Sequence, residues 1–148
     1  MVLSFGPDGI TGHPDHITVG VATTAAFTRL ADDGGPGFAR LYHAAWKQSA
    51  LDRLNAVRIA DGLEPFDPRV VFHPRGVPDE HIACTIDQRS VLPLIRAAFQ
   101  AHRTQWAPYW AGLDDRAWQS AAGESHLVQA WPPRPPGVDV LRDPFEGL

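Results

Sequence analysis

Gly6-Pro7-Asp8-Gly9-Ile10-Thr11-Gly12-His13-Pro14-Asp15-His16 is the stretch on which the reading of the fold turns. It is a glycine-rich loop running into the N-terminus of a helix. The apolar run from Val2 to Phe5 ahead of it reads as a buried strand. Gly6 to Gly12 reads as loop, because Gly-Pro-Asp-Gly is strong turn chemistry. Behind it, Asp15 is placed to cap a helix from about His16 to Ala31. Ile17, Val21, Ala25 and Leu30 there roughly follow a helical stripe. Two histidines and a carboxylate stand within four residues where that helix begins. A helix start offers free N–H groups to an anionic or polarised ligand. Histidine is the commonest metal ligand and the side chain that most readily moves protons near neutral pH. The plainer reading is a capped helix whose histidines are simply exposed. His-x-x-His spacing alone does not choose between the two.

Further along, Phe38 to Ala45 reads as a strand or the start of the next helix. Lys47 to Ala60 is helical in pattern, with Leu51, Leu54 and Val57 on one side and Gly62 as the stop. Val70 to Phe72 and Ile82 to Ile86 are short β-like runs in a proline-rich stretch. Arg89 to Gln105 is predicted as one long helix with Pro93 in its first turn. Asp114 to Ala122 is a further helix and Leu127 to Trp131 a last strand. These elements make residues 1–131 one domain and residues 132–148 a proline-rich tail without regular structure. Strands alternating with helices indicate an α/β class.

The composition excludes several functions. The 148 residues suffice for one domain, and 44% of them are apolar, enough for a packed core. Thirteen basic residues against seventeen acidic ones give a net charge of −4 and no basic stripe, which argues against nucleic acid as a partner. No apolar run reaches membrane-spanning length. The first residues lack the basic start and apolar stretch of a signal peptide, so a cytoplasmic location is expected. Cys84 is the only cysteine, which rules out an intrachain disulfide and a four-cysteine zinc site. A small molecule is the expected partner, and a homo-oligomer stays open.

Pro7-Asp8-Gly9-x-Thr11-Gly12-His13-Pro14-Asp15-His16, followed by an apolar helix, resembles the second signature of the LmbE-like deacetylases. That is the family (PIG-L) of the enzyme that deacetylates N-acetylglucosaminyl-phosphatidylinositol. The resemblance implies that His16 is a zinc ligand. It implies that His13 faces the substrate carbonyl and steadies the tetrahedral intermediate, and that Asp15 tunes the protonation of His13. Some members carry a tyrosine where this chain has Thr11, so Thr11 takes a substrate-side position without a phenol. A second stretch, Asp79-Glu80-His81-Ile82-Ala83-Cys84-Thr85-Ile86-Asp87, leads into the helix that ends Ala101-His102-Arg103-Thr104-Gln105. It is similar to the family's Asp at a helix start and Ala-His-x-(Ser/Thr)-Gln at its end. The close, Asp143-Pro144-Phe145-Glu146-Gly147-Leu148, also resembles the family. His102 and Gln105 are spaced to share a helix face and are expected to satisfy buried loop carbonyls. His43, His73, His81 and His126 are expected to be structural or exposed. Trp106, with Tyr109 and Trp110, is a candidate to stack on a sugar ring.

The family's first signature, Ala-His-Pro-Asp-Asp-Glu, has no counterpart here. It supplies a histidine and an aspartate to the zinc, and a second aspartate as general base. A catalytic zinc needs about three protein ligands and an open position, and this chain offers His16. The resemblance therefore implies the C-terminal portion of a Rossmann-like, three-layer α/β domain that lacks its N-terminal strands. The implied function is a zinc-dependent hydrolase that removes an N-acetyl group from an amino-sugar-type substrate, an N-acetylated sugar or thiol-sugar. Zn²⁺ is the cofactor, and this chain alone is expected to be inactive. Two other readings stand beside it. One is a non-catalytic remnant or binding module, and the other is an unrelated metal-binding domain using His13 and His16 with His102.

Overall fold

In the structure, a computed structural model, the described residues are 1–33, 39–106, 112–135 and 137–148, without the side chains of Gln105 and Trp106. The apolar run at the start forms β1 (Val2–Phe5) as expected. It lies parallel to β2 (Leu41–Lys47), in register from Val2 with Leu41 to Phe5 with Ala44. β3 (Gly76–Val77) runs parallel beside Trp46 and Lys47 at the far end of β2. β5 (Glu124–Trp131) pairs antiparallel with β2, and β4 (Cys84–Asp87) antiparallel with β5. The order β1-β2-β5-β4 makes a mixed sheet, and with its helices the chain is α/β. Leu41 and Tyr42 in β2 and Leu127 in β5 are buried, as befits central strands.

Six helices surround the sheet among the described residues. α1 (Gly9–Gly12) is a single turn within the segment expected to be loop. α2 (Pro14–Asp32) follows at once. Its cap is His13, not Asp15. His13 is extended, and its Nδ1 accepts the Asp15 N–H at 3.0 Å. Pro14 then supplies the fixed φ that suits a first helical turn, and Asp15 sits where the helix dipole favours a negative charge. α3 (Gln48–Ala60) has no side-chain cap of its own. Asp79 provides one from a distance: its Oδ1 accepts the Ser49 N–H at 3.0 Å, and its Oδ2 lies 3.4 Å from Lys47 Nζ. Asp79 thus serves the start of α3, while Asp87, at the end of the same stretch, accepts the Arg89 N–H at 3.0 Å ahead of the later helix.

The β-like run at Val70 to Phe72 is not a strand. Asp67 Oδ1 accepts the Arg69 N–H, Asp67 O the Val70 N–H and Val70 O the His73 N–H, so the segment closes into turns. The helix expected over Arg89 to Gln105 is also divided. A 3-10 turn at Arg89–Val91 precedes α4 (Leu92–Ala101), which begins where Pro93 can occupy the first turn. His102 (φ −82°, ψ 63°) separates α4 from α5 (Arg103–Trp106). Nothing among the described residues explains that break. α6 (Asp115–Ala122) is capped by Asp114 Oδ1, which accepts the Ala117 N–H at 2.8 Å.

One core cluster gathers Leu51 and Leu54 of α3, Phe66, Leu113, and Ala117, Trp118 and Ala121 of α6. A second joins Tyr42, Ala83, Cys84 and Leu127. The tail returns to the sheet at Leu141. Its N–H donates to Ala83 O and its carbonyl accepts from the Thr85 N–H, both at 2.9 Å. These bonds occupy backbone groups along β4 that would otherwise face water. No helix among the described residues is long and apolar enough to cross a membrane.

α2 comes down on the end of β1 through Gly20. A Cβ there would stand 2.6 Å from Phe5 O and 2.9 Å from Gly6 O. Alanine in place of glycine inside a helix ordinarily stabilises by about 0.5–1 kcal/mol. Here the sign should reverse, because backbone rather than a flexible side chain blocks the methyl group. Gly20→Ala is expected to lower stability by about 1–3 kcal/mol, measured by urea denaturation. A gain in stability would show that the contact is looser than described.

Candidate functional site

The site starts where β1 ends. Gly9 N–H donates to Gly6 O at 3.0 Å and Gly12 N–H to Asp8 O at 2.9 Å, while Asp8 Oδ1 accepts the Ile10 N–H at 3.2 Å. Within this turn Ile10 has φ +66°, a conformation that β-branched residues rarely adopt. Phe72 also has a positive φ, +77°. Such strain costs about 1–3 kcal/mol per residue and persists only where the surroundings enforce it. Two backbone bonds tie the strained segments together: Phe72 N–H to Thr11 O at 2.9 Å and Arg75 N–H to Ile10 O at 2.8 Å. The Arg75 guanidinium packs on Gly12 (φ +72°) in the space that a Cβ would fill.

The clamp sets four rings in a column. Phe5 stacks on His16 with centroids 4.1 Å apart and planes 4° from parallel. His16 stacks on His13 at 4.8 Å and 26°. Phe72 meets His13 edge-on at 5.2 Å. The hydrogen bonds of the two histidines fix opposite tautomers. His16 Nδ1 lies 3.1 Å from Gly9 O, and a carbonyl only accepts, so Nδ1 carries the hydrogen and Nε2 keeps its lone pair. His13 Nδ1 accepts the Asp15 N–H, so in the neutral ring Nε2 carries the hydrogen. His16 thus presents an acceptor, and His13 a donor.

A shared metal is excluded by the same geometry. Lone pairs lie in the ring planes, and planes inclined by 26° meet far beyond the roughly 2.0–2.1 Å reach of a zinc–nitrogen bond. Among the described residues no three His, Cys, Asp or Glu side chains form a metal-binding group. The residues therefore fit one coordination position, at His16 Nε2. A separate metal domain built from His13, His16 and His102 is not supported.

A cleft of about 640 Å³ opens over these rings. Thr11, His13, Asp15 and His16 line it on one side, and Trp46, Phe66, Phe72 and Phe99 supply aromatic surface. Asp15 is present, but its side chain is 85% exposed and its Oδ2 lies 4.0 Å from His13 Nδ1, beyond hydrogen-bond reach. His102 differs from expectation. It is exposed, lines the cleft, and makes no side-chain hydrogen bond to a loop carbonyl among the described residues. The side chains of Trp106 and Gln105, and residues Tyr109 and Trp110, lie outside the described residues. The aromatic wall was missed in the sequence. Phe5 had a signal, since it is the last strand residue before the loop. Phe72 had none, because its role depends on a turn that the apolar run concealed.

Of the other histidines, expected to be structural or exposed, His43 and His73 are structural. His43 Nε2 lies 3.0 Å from Thr24 Oγ1, and burial lowers its pKa although Asp8 opposes this. His73 Nδ1 accepts the Asp67 N–H at 3.0 Å. His81 is exposed. His126 is 4% exposed, and burial likewise lowers its pKa against the pull of Glu124.

No family-wide sequence profile matches the chain. Individual proteins do. The chain is 33% identical over 163 aligned residues to the 1D-myo-inositol 2-acetamido-2-deoxy-alpha-D-glucopyranoside deacetylase of Thermomonospora curvata, covering 100% of this chain and 54% of that protein. It is 37% identical over 140 residues to the enzyme of the same name from Rhodococcus jostii, with 86% and 47% covered. It is 34% identical over 114 residues to deacetylase 1 of that name from Saccharopolyspora erythraea, with 74% and 36% covered. The chain spans about half the length of the first of these relatives, and less of the others.

His13→Ala removes the α2 cap and should cost about 1 kcal/mol, whereas His13→Asn keeps a capping oxygen and should cost less. Equal losses in thermal denaturation would mean that the cap contributes nothing. His43 and His126 both have folded pKa values below their ordinary 6.5. Below pH 6.5 the unfolded chain therefore binds more protons, and stability falls as pH drops toward the folded values. Asp67 and Asp79 have pKa values below their ordinary 3.8, so their contribution is lost only at lower pH. Urea unfolding between about pH 7.5 and 5 should show a declining free energy. A flat profile there would contradict the burial of both rings.

Proposed function

The chain belongs to the LmbE-like (PIG-L) family of de-N-acetylases, and we propose that it forms part of a zinc-dependent hydrolase that removes an N-acetyl group from an amino sugar. The relatives' names point to an acetamido sugar joined to inositol as the substrate class. The reading rests above all on the opposite tautomers of the stacked histidines. His16, with Nδ1–H held by the Gly9 carbonyl, would offer Nε2 to the zinc, the orientation that an outer hydrogen bond imposes on metal-ligating histidines. His13 would donate from Nε2 to the acetamide oxygen as negative charge builds there. Its donor is fixed in advance by the cap, so no reorientation is needed during the reaction. When bound, zinc supplies a polarised water near neutral pH. Trp46, Phe66 and Phe72 would give the sugar ring apolar faces and keep bulk water from the donor.

On this reading the 148 residues form a partial Rossmann-like domain. The remaining ligands and the general base would come from residues outside this sequence, because His16 fills only one of about three protein positions. Asp15 would act on His13 through its charge and through the N–H that it lends to the cap, not through a carboxylate hydrogen bond.

The test is acetate release from 1D-myo-inositol 2-acetamido-2-deoxy-alpha-D-glucopyranoside with zinc present. The chain alone should release none. Mixed with the part of the Thermomonospora curvata relative that lies outside the match, it should. In that mixture His16→Ala should lose zinc. His13→Ala should keep zinc and lose rate by about 10²- to 10³-fold. Equal loss of zinc in both variants would overturn the division of roles, and activity of the chain alone would overturn the ligand count.

A further inference from the structure

Away from the cleft, α3, α6 and the start of β5 enclose a second pocket, of about 300 Å³. It shares no lining residue with the cleft. Arg53 of α3, Arg116 of α6 and Arg89 open into it, against one carboxylate, Glu124. That carboxylate is already engaged. Its Oε1 accepts from Arg89 Nη2 at 3.0 Å, and its Oε2 lies 3.5 Å from His126 Nε2. Arg89 is held as well by Asp87, with Nη1 to Oδ2 at 2.9 Å. Arg53 and Arg116 make no ion pair among the described residues. The pocket is thus positive in a chain whose net charge is −4.

Its floor adds a second observation. His126 is 4% exposed, lines the pocket, and its Nε2 has no hydrogen-bond partner of acceptable geometry. The one acceptor near that nitrogen, Glu124 Oε2 at 3.5 Å, is poorly placed for it, so the imidazole is a weakly satisfied polar group at the pocket floor. Beside it, Ala50 and Ser120 are small and leave room. Guanidinium groups converging from two helices suit an oxyanion with several acceptor oxygens, because each presents a planar fork of donors.

We propose that this pocket, lined by Arg53, Arg89, Arg116 and His126, binds a phosphate group. The ligand is inorganic phosphate or a phosphate monoester, held by the two unpaired arginines with the imidazole beneath it. The site is independent of the deacetylase reading, since none of its residues touches the cleft.

The experiment is a titration of the 148-residue chain with inorganic phosphate at constant ionic strength, followed through the imidazole NMR resonances. His126 should shift with saturation, while His13 and His16 hold still. A parallel titration with glucose 6-phosphate separates the two sources: tighter binding of the ester identifies a phosphorylated metabolite, and tighter binding of the free ion identifies phosphate itself. Arg53→Gln with Arg116→Gln should weaken binding about ten-fold or more, as expected when charge-assisted hydrogen bonds are lost. Arg69→Gln, whose guanidinium is paired with Asp67 outside the pocket, should change nothing. The proposal is overturned if neither titrant saturates, if chloride gives the same shifts, or if the Arg69 variant weakens binding as much as the double variant. Both arginines are exposed, so folding should survive, and the wild-type titration stands without them.

Discussion

The carbonyl oxygens of Phe5 and Gly6 lie within 2.9 Å of the point where a Cβ on Gly20 would stand. Only a helix with no side chain at that position can approach the end of β1 so closely. The approach sets the axis of α2, and the axis sets where its first turn lies. His16 then falls over the Phe5 ring at 4.1 Å, and the Gly9 carbonyl falls within reach of His16 Nδ1. A strand end, a tight turn and a helix start are thus held as one unit. The parallel neighbour β2 brings Trp46 to the same end of the sheet, where ligands of α/β proteins commonly bind.

This unit stores strain. Ile10 and Phe72 both have positive φ, and the two backbone bonds between their segments keep them so. Core burial does not account for the conformation of Phe72, which is half exposed. What the strain achieves is placement: Phe72 closes the column of rings over His13, and the turn at Ile10 presents the Gly9 carbonyl to His16. Backbone strain concentrated beside two titratable rings is the pattern expected of a functional site rather than of a fold element.

Much of this was legible in the sequence, and the reasons for the rest are physical. β1, α3, α6 and the helix after the glycine loop were readable because each has its own periodicity and its own stop or cap, such as Gly62 or Asp114. The order of the sheet was not readable, because pairing β2 with β5 joins residues as far apart as Leu41 and Trp131. The cap of α3 by Asp79 was hidden for the same reason. Asp15 was the obvious cap for α2 by residue type, yet His13 took the role because Pro14 occupies the first turn and leaves the Asp15 N–H facing the preceding ring. The histidine pair itself was visible, and the resemblance assigned its roles. The aromatic cleft required the tertiary structure.

A structural histidine ordinarily has its polar atoms satisfied within the fold. His43 reaches Thr24 in the interior, and His73 takes a backbone N–H inside its turn. His13 and His16 each spend one nitrogen on backbone and leave the other facing a cleft. The nitrogens spent differ in kind, one accepting and one donating, so the nitrogens left differ too. Two exposed histidines on a merely solvated helix end would have no reason to be locked in complementary tautomers by a strained loop. Aromatic walls strengthen the consequence, because a donor in a site partly shielded from water acts through a lower effective dielectric than one at the open surface. The aromatic walls and the fixing of the tautomers therefore act together: they leave at His13 Nε2 a donor whose direction is set by the backbone before anything enters the cleft.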